Sequence, residues 1–129
     1  MRVSTTVLLF LALFAAAAQQ KGKKPADVQI LETKAVRGIT NITVDGKVRV
    51  TGEKALRGLV IVFDFRSPEK EVVTSQKAVL DEDQVKPGQE RSAQSAASEH
   101  VRAVRYKIRA FDMQERELRI ANAGPFPIE

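Results

Sequence analysis

The sequence predicts an all-β fold, a β-sandwich of about seven strands preceded by a cleaved signal peptide. Three observations predict it. From Val28 onward, short runs rich in Val, Ile, Thr and Phe recur at roughly ten-residue spacing. Gly, Pro and charged residues separate those runs as turns. The first eighteen residues differ in texture from everything after them and read as an address, not as fold. The 129 residues are enough for one domain and too few for two of ordinary size.

Met1-Arg2 is a short cationic start, and Val7 to Ala18 is an unbroken apolar run. As a helix that run spans roughly 18 Å, well short of a hydrocarbon core of about 30 Å. It ends in Ala16-Ala17-Ala18 before Gln19-Gln20, small residues suited to signal cleavage. The alternative is an uncleaved anchor. Residues 1–18 are therefore assigned to a signal peptide, 19–27 (QQKGKKPAD) to a flexible basic leader, and 28–129 to the domain, with a tail from 122. No later stretch is apolar enough to span a bilayer, so no transmembrane segment is expected after signal removal. The expected location is periplasmic or extracellular. With no Cys there is no disulfide framework, thiolate nucleophile, Cys-based metal site or lipobox anchor. A domain of about 100 residues can fold without such staples, which suits bacterial export. Asn41-Ile42-Thr43 matches a glycosylation sequon and, in such a chain, reads as a chance match.

Strands are expected near 28–36, 39–51, 58–66, 71–80, 90–97, 101–111 and 117–122, the second bent or interrupted at Asp45-Gly46. In 58–66, Leu59, Ile61, Phe63 and Phe65 share one face and Val60, Val62 and Asp64 the other, the mark of a central strand. Ser67-Pro68-Glu69-Lys70 turns the chain, since Pro68 fixes φ and donates nothing to a ladder. Val85-Lys86-Pro87-Gly88 is a second turn with Pro-Gly type II chemistry. Phe111 to Glu117 forms a hairpin loop. One conflict stands: Ala93, Ala97, Val101, Val104, Ile108 and Phe111 step as a helical stripe, yet Val104, Tyr106, Ile108 and Ala110 alternate as a strand. The strand formers favour a strand from about 101. A helix at 92–99 stays open.

The stretch Val50-Thr-Gly-Glu-Lys-Ala-Leu-Arg-Gly-Leu-Val-Ile-Val-Phe-Asp-Phe65, followed by Lys86-Pro87-Gly88-Gln89-Glu90, resembles the FxLYD-type family of bacterial exported domains. The resemblance covers about 44–111. It implies an immunoglobulin-like β-sandwich and brings no catalytic residues with it.

The candidate chemistry is sparse. Ser67-Pro68-Glu69-Lys70 matches S-x-x-K, but that chemistry needs a helical turn that Pro68 denies, and no K-T-G partner exists. His100, the single histidine, is the base a small exported hydrolase would have to use, joined to a Ser or Asp. Otherwise it is a surface histidine. Asp81-Glu82-Asp83-Gln84 lacks the spacing of a calcium loop and reads as a solvated acidic loop. No cofactor and no metal are implied. The formal charge of +5 is a solubility charge more than a nucleic-acid footprint, and no aromatic platform accompanies it, so nucleic acid is not an expected partner. The candidate interaction face is a basic stripe of Arg105, Lys107 and Arg109 on one strand, joined by Arg102 and by Lys47 and Arg49. Such a stripe suits an anionic surface polymer, a glycan or another envelope protein; the alternative is a face that only solubilises the fold. In the tail, Phe126 and Ile128 pack on their own domain or extend outward as a docking segment. The expected protein is an exported, non-catalytic structural or interaction module.

Overall fold

The computed structural model describes residues 26–80, 84–98 and 100–129. The expected signal peptide, most of the leader, and the acidic stretch Asp81-Glu82-Asp83 lie outside the described residues. Among the described residues there is no helix. The strands are β1 (Val28–Arg37), β2 (Asn41–Val50), β3 (Leu56–Arg57), β4 (Val60–Arg66), β5 (Val72–Val79), β6 (Gln84–Val85), β7 (Glu90–Ser98), β8 (Arg105–Phe111), β9 (Ile120–Ala121) and β10 (Phe126–Pro127). One sheet runs β7-β2-β1-β9, a second β10-β8-β4-β5, and β3 pairs with β6. Two sheets sharing one core make the β-sandwich that the alternating runs predict.

Period-two alternation builds that core. Along β2, Ile42, Val44, Val48 and Val50 point inward while Thr43, Asp45 and Lys47 point to solvent. Facing them from the second sheet are Ile61, Phe63 and Phe65 of β4 and Tyr106, Ile108 and Ala110 of β8, all buried. The Tyr106 ring meets Phe63 and Phe65 at centroid distances of 6.3 and 6.0 Å. β2 is neither bent nor interrupted at Asp45-Gly46: its register against β1 and β7 is continuous there. Gly46 faces inward, and a Cβ at that position would lie 3.7 Å from the Phe63 ring, so the glycine makes room for the aromatic packed above it.

β1 needs a correction of phase. Strict alternation from Val28 and Ile30 would turn Glu32 and Lys34 into the core. A bulge between Ile30 and Glu32 inserts Leu31, flips the alternation, and brings Ala35 inside while Glu32 and Lys34 reach solvent.

The remaining differences lie at ends and crossings. Residues 92–98 belong to β7, paired with β2 from Asn41↔Ser98 to Arg49↔Glu90, so no helix forms there. The strand expected from 101 begins at Arg105. Residues 100–104 instead turn the chain from one sheet to the other, closed by the Ala103 amide donating to the His100 carbonyl at 3.0 Å. The strand expected at 117–122 shortens to Ile120–Ala121. Pro87-Gly88 turns as expected, with Gly88 at φ 85 and Gln89 N donating to Lys86 O. Ser67 to Lys70 is a hairpin turn with Lys70 at φ 69, closed by Lys70 N donating to Ser67 O; the S-x-x-K match sits on no helix.

The tail packs on its own domain and ties the two sheets together. β9 runs parallel to β1 at Val28 and Gln29, and β10 pairs with β8 through Phe126↔Tyr106. Glu129 then donates to Ala35 O and accepts from Arg37 N. The Phe126 ring lies 5.4 Å from that of Tyr106. No helix among the described residues is long and apolar enough to cross a membrane.

Candidate interaction face

The register of β4 with its two neighbours fixes the outer face of the second sheet. Val79, Val60 and Phe111 form one cross-strand row. Lys77, Val62 and Arg109 form the next, then Ser75, Asp64 and Lys107, then Val72, Arg66 and Arg105. Rows two residues apart are separated by about 7 Å. The predicted stripe Arg105, Lys107 and Arg109 is therefore real as geometry: all three point outward while Tyr106, Ile108 and Ala110 point in. Arg66 and Lys77, which the sequence reading missed, stand on the same face. Asp64 is the carboxylate among them, and it is buried.

Asp64 explains how so many cations share one face. Its carboxylate accepts from Arg109 Nε at 2.6 Å and Nη2 at 3.1 Å, and from Ser75 Oγ at 2.6 Å. The bidentate fork fits a carboxylate held almost out of water. These bonds, with Asp64 first among the causes, raise the Arg109 guanidinium above its ordinary range. Arg109 also stacks over Phe111 at 5.3 Å and reaches Glu117 at 3.8 Å. Arg109 is thus a strut of the sheet. By contrast, among the described residues Arg66, Lys77, Arg105 and Lys107 have no acid within ion-pair distance. Arg66 Nε is buried and finds no acceptor there either.

Three residues expected on the stripe lie elsewhere. Lys47 and Arg49 belong to β2, on the outer face of the other sheet, and both pair with Glu90, at 3.8 and 2.7 Å. Arg49, the larger influence, holds the Glu90 carboxyl below its usual range. Around them Glu32 faces Lys47 and Lys34 faces Asp45, so that face is charge-balanced. Arg102 sits in the turn before β8 and pairs with Glu69 at 3.0 Å. Backbone and Ser67 hydrogen bonds, then Arg102, lower the Glu69 carboxyl. The two sheets therefore present unlike exteriors, one balanced and one cationic.

The cationic face carries a hollow of about 530 Å³ at its far end, lined by Val60, Val62, Val79, Lys77, Arg109 and Phe111 among others. His100 lies in the crossing turn. Its carbonyl accepts from Arg37 Nη1 at 3.1 Å; among the described residues its imidazole makes no hydrogen bond or ion pair with a Ser, Asp or Glu, and it does not line the hollow on the cationic face.

Against this geometry the comparisons are brief. No family model matches the chain, and no curated protein matches it significantly. Solved structures do. A β-glucuronidase from glycoside hydrolase family 2 is similar with a TM-score of 0.55 at 11% identity, over 79% of this chain and 13% of that one. A calcium-binding mutant of Bacteroides uniformis β-glucuronidase 2 is similar with a TM-score of 0.52 at 10% identity, over 83% of this chain and 13% of that one. The likeness shows the β-sandwich fold. This chain spans 13% of the length of each enzyme.

Proposed function

We propose that the protein is an exported, non-catalytic interaction module that binds an anionic partner on the outer face of β4, β5 and β8. The observation that carries the reading is the asymmetry of the two exteriors. Among the described residues, Arg66, Lys77, Arg105 and Lys107 have no acid within ion-pair distance on one sheet, while the charges of the other are matched in place. Unmatched like charge on one face costs self-repulsion, which an anionic partner relieves. The cationic start and apolar run of 1–18 support export to the periplasm or medium, and the FxLYD-type resemblance of 44–111 supports an envelope setting. The partner is an envelope protein or an anionic surface polymer.

The test is retention of the purified protein on immobilised anionic polysaccharide and on whole envelopes across a salt series. Retention that falls as salt shortens the Debye length from about 10 Å at 0.1 M is the expected result. Elution with the void volume at low salt would overturn the reading.

A further inference from the structure

We infer that one end of the sandwich is a membrane-docking tip, with an anionic lipid surface as its ligand. The inference rests on the polyanion-binding reading, because two cations of that face, Arg66 and Arg105, stand at this end.

Three turns meet there. The Asn41↔Ser98 pair sets the 38–40 turn beside residues 100–104. The Val104 amide donating to Arg66 O, and the Arg102–Glu69 ion pair, set residues 100–104 beside the 67–71 turn. On these turns Ile39 is 98% exposed and Val101 87%. Val36, Val72 and Val104 are exposed behind them. Single exposed aliphatics are ordinary on a surface; here most of the large exposed apolar side chains among the described residues gather at one end.

The shape of the tip selects the ligand. Ile39 and Val101 project from turns, 98% and 87% exposed, so they suit insertion into a yielding apolar medium better than a flat protein contact. Among the described residues, Arg66, Lys70, Arg102 and Arg105 stand on the same turns and strand ends, with Glu69, which Arg102 engages, and the exposed Glu71 and Glu129, the latter 3.5 Å from Lys34. Apolar side chains on the turns, with Arg66, Lys70 and Arg105 beside them, fit a bilayer with anionic headgroups, where each basic residue near the surface multiplies affinity about fivefold. Neither set suffices alone: two aliphatic side chains anchor weakly, and cations alone would not distinguish a lipid surface from a soluble polyanion.

The experiment sediments the protein with vesicles of phosphatidylcholine, and with vesicles of equal parts phosphatidylcholine and phosphatidylglycerol. Binding to the mixed vesicles and little to the neutral ones is expected. The Ile39→Ser/Val101→Ser double variant, which removes the apolar side chains without changing charge, should lose at least tenfold in partition while keeping its retention on soluble polyanion, since neither side chain is packed in the core. The chain has no Trp, so an Ile39→Trp substitution adds a fluorophore whose emission should shift blue with mixed vesicles and not with soluble polyanion. Undiminished vesicle binding by the double variant, or no blue shift, overturns the inference. If polyanion retention persists in that case, the proposed function stands and its partner is a protein or polymer. If retention is also absent, both fall together.

Discussion

Arg109 and Lys107 are neighbours on one face of β8 and look equivalent in the sequence, yet the structure gives them opposite duties. Replacing Arg109 with Ala removes two charge-assisted hydrogen bonds to Asp64, whose side chain is 10% exposed. Each such bond contributes about 1.5–3 kcal/mol when desolvated, and breaking a fully buried ion pair costs about 3–5 kcal/mol. The Arg109 side chain is 43% exposed, so water screens part of the attraction, and Ser75 keeps its bond to the stranded carboxylate. The expected loss is about 2 kcal/mol. For a domain near 100 residues that lowers Tm by about 8–16 °C. Lys107→Ala removes no ion pair among the described residues and should stay within about 0.5 kcal/mol of the parent. Thermal unfolding followed by circular dichroism, with urea denaturation alongside, separates the two. Equal losses for both variants, or an unchanged Tm for Arg109→Ala, would refute the division of labour. The practical consequence is that any charge-neutralising test of binding must spare Arg109, because its loss would confuse unfolding with lost contact.

Three further outcomes follow from the core and the turns. Tyr106 is the chain's single tyrosine, its hydroxyl 2.7 Å from Thr33 Oγ1, and burial raises its pKa above 10.0. The unfolded chain then ionises first, so stability is intact below pH 10 and drains away as pH climbs toward the folded value. Phenolate absorbance should titrate late and steeply with unfolding, and Tyr106→Phe should flatten the alkaline limb at a cost of about 1 kcal/mol near neutrality. Gly58→Ala should cost about 1–2 kcal/mol by denaturant titration, since φ is +59 and the new Cβ would meet that of Met113 at 3.0 Å. In acid, Glu90, held low chiefly by its hydrogen bond from Arg49, gives stability that is present above pH 4.5 and lost as pH falls through its folded value. Arg49→Gln should move that carboxyl up toward its ordinary titration, with Lys47 still holding part of the shift, read by NMR.

The sandwich was legible because β2 and β8 alternate without interruption and state their buried face in their own residues, while β4, apolar on both faces, reads as a central strand. β1 was only half legible, since a bulge changes phase without a Gly or Pro to announce it. Val101 to Val104 reads as strand by composition. It is a turn because the chain must there leave β7 in one sheet and enter β8 in the other, a demand set by topology and not by local preference. The tail's two-residue strands are too short to carry a pattern at all. The same limit governed the candidate face. Alternation on one strand placed Arg105, Lys107 and Arg109 together correctly. It could not say which strands lie side by side, so Lys47 and Arg49 were joined to the wrong sheet, and Arg66, Lys77 and the anchoring Asp64 were left off. An aspartate set between apolar residues on a central strand was the available signal that a buried partner must exist opposite it.

The central claim is that contact is made on one sheet and not the other, and a matched pair of variants tests it. Lys77→Gln/Arg105→Gln/Lys107→Gln strips the cationic face while leaving the Arg109–Asp64 pair in place; Lys34→Gln/Lys47→Gln/Arg49→Gln removes equal charge from the balanced face. Retention on anionic polysaccharide at fixed low salt is then compared with that of the parent. The first variant should elute early and the second close to the parent. Equal weakening of both would mean that net charge alone drives retention and that no face is dedicated to it.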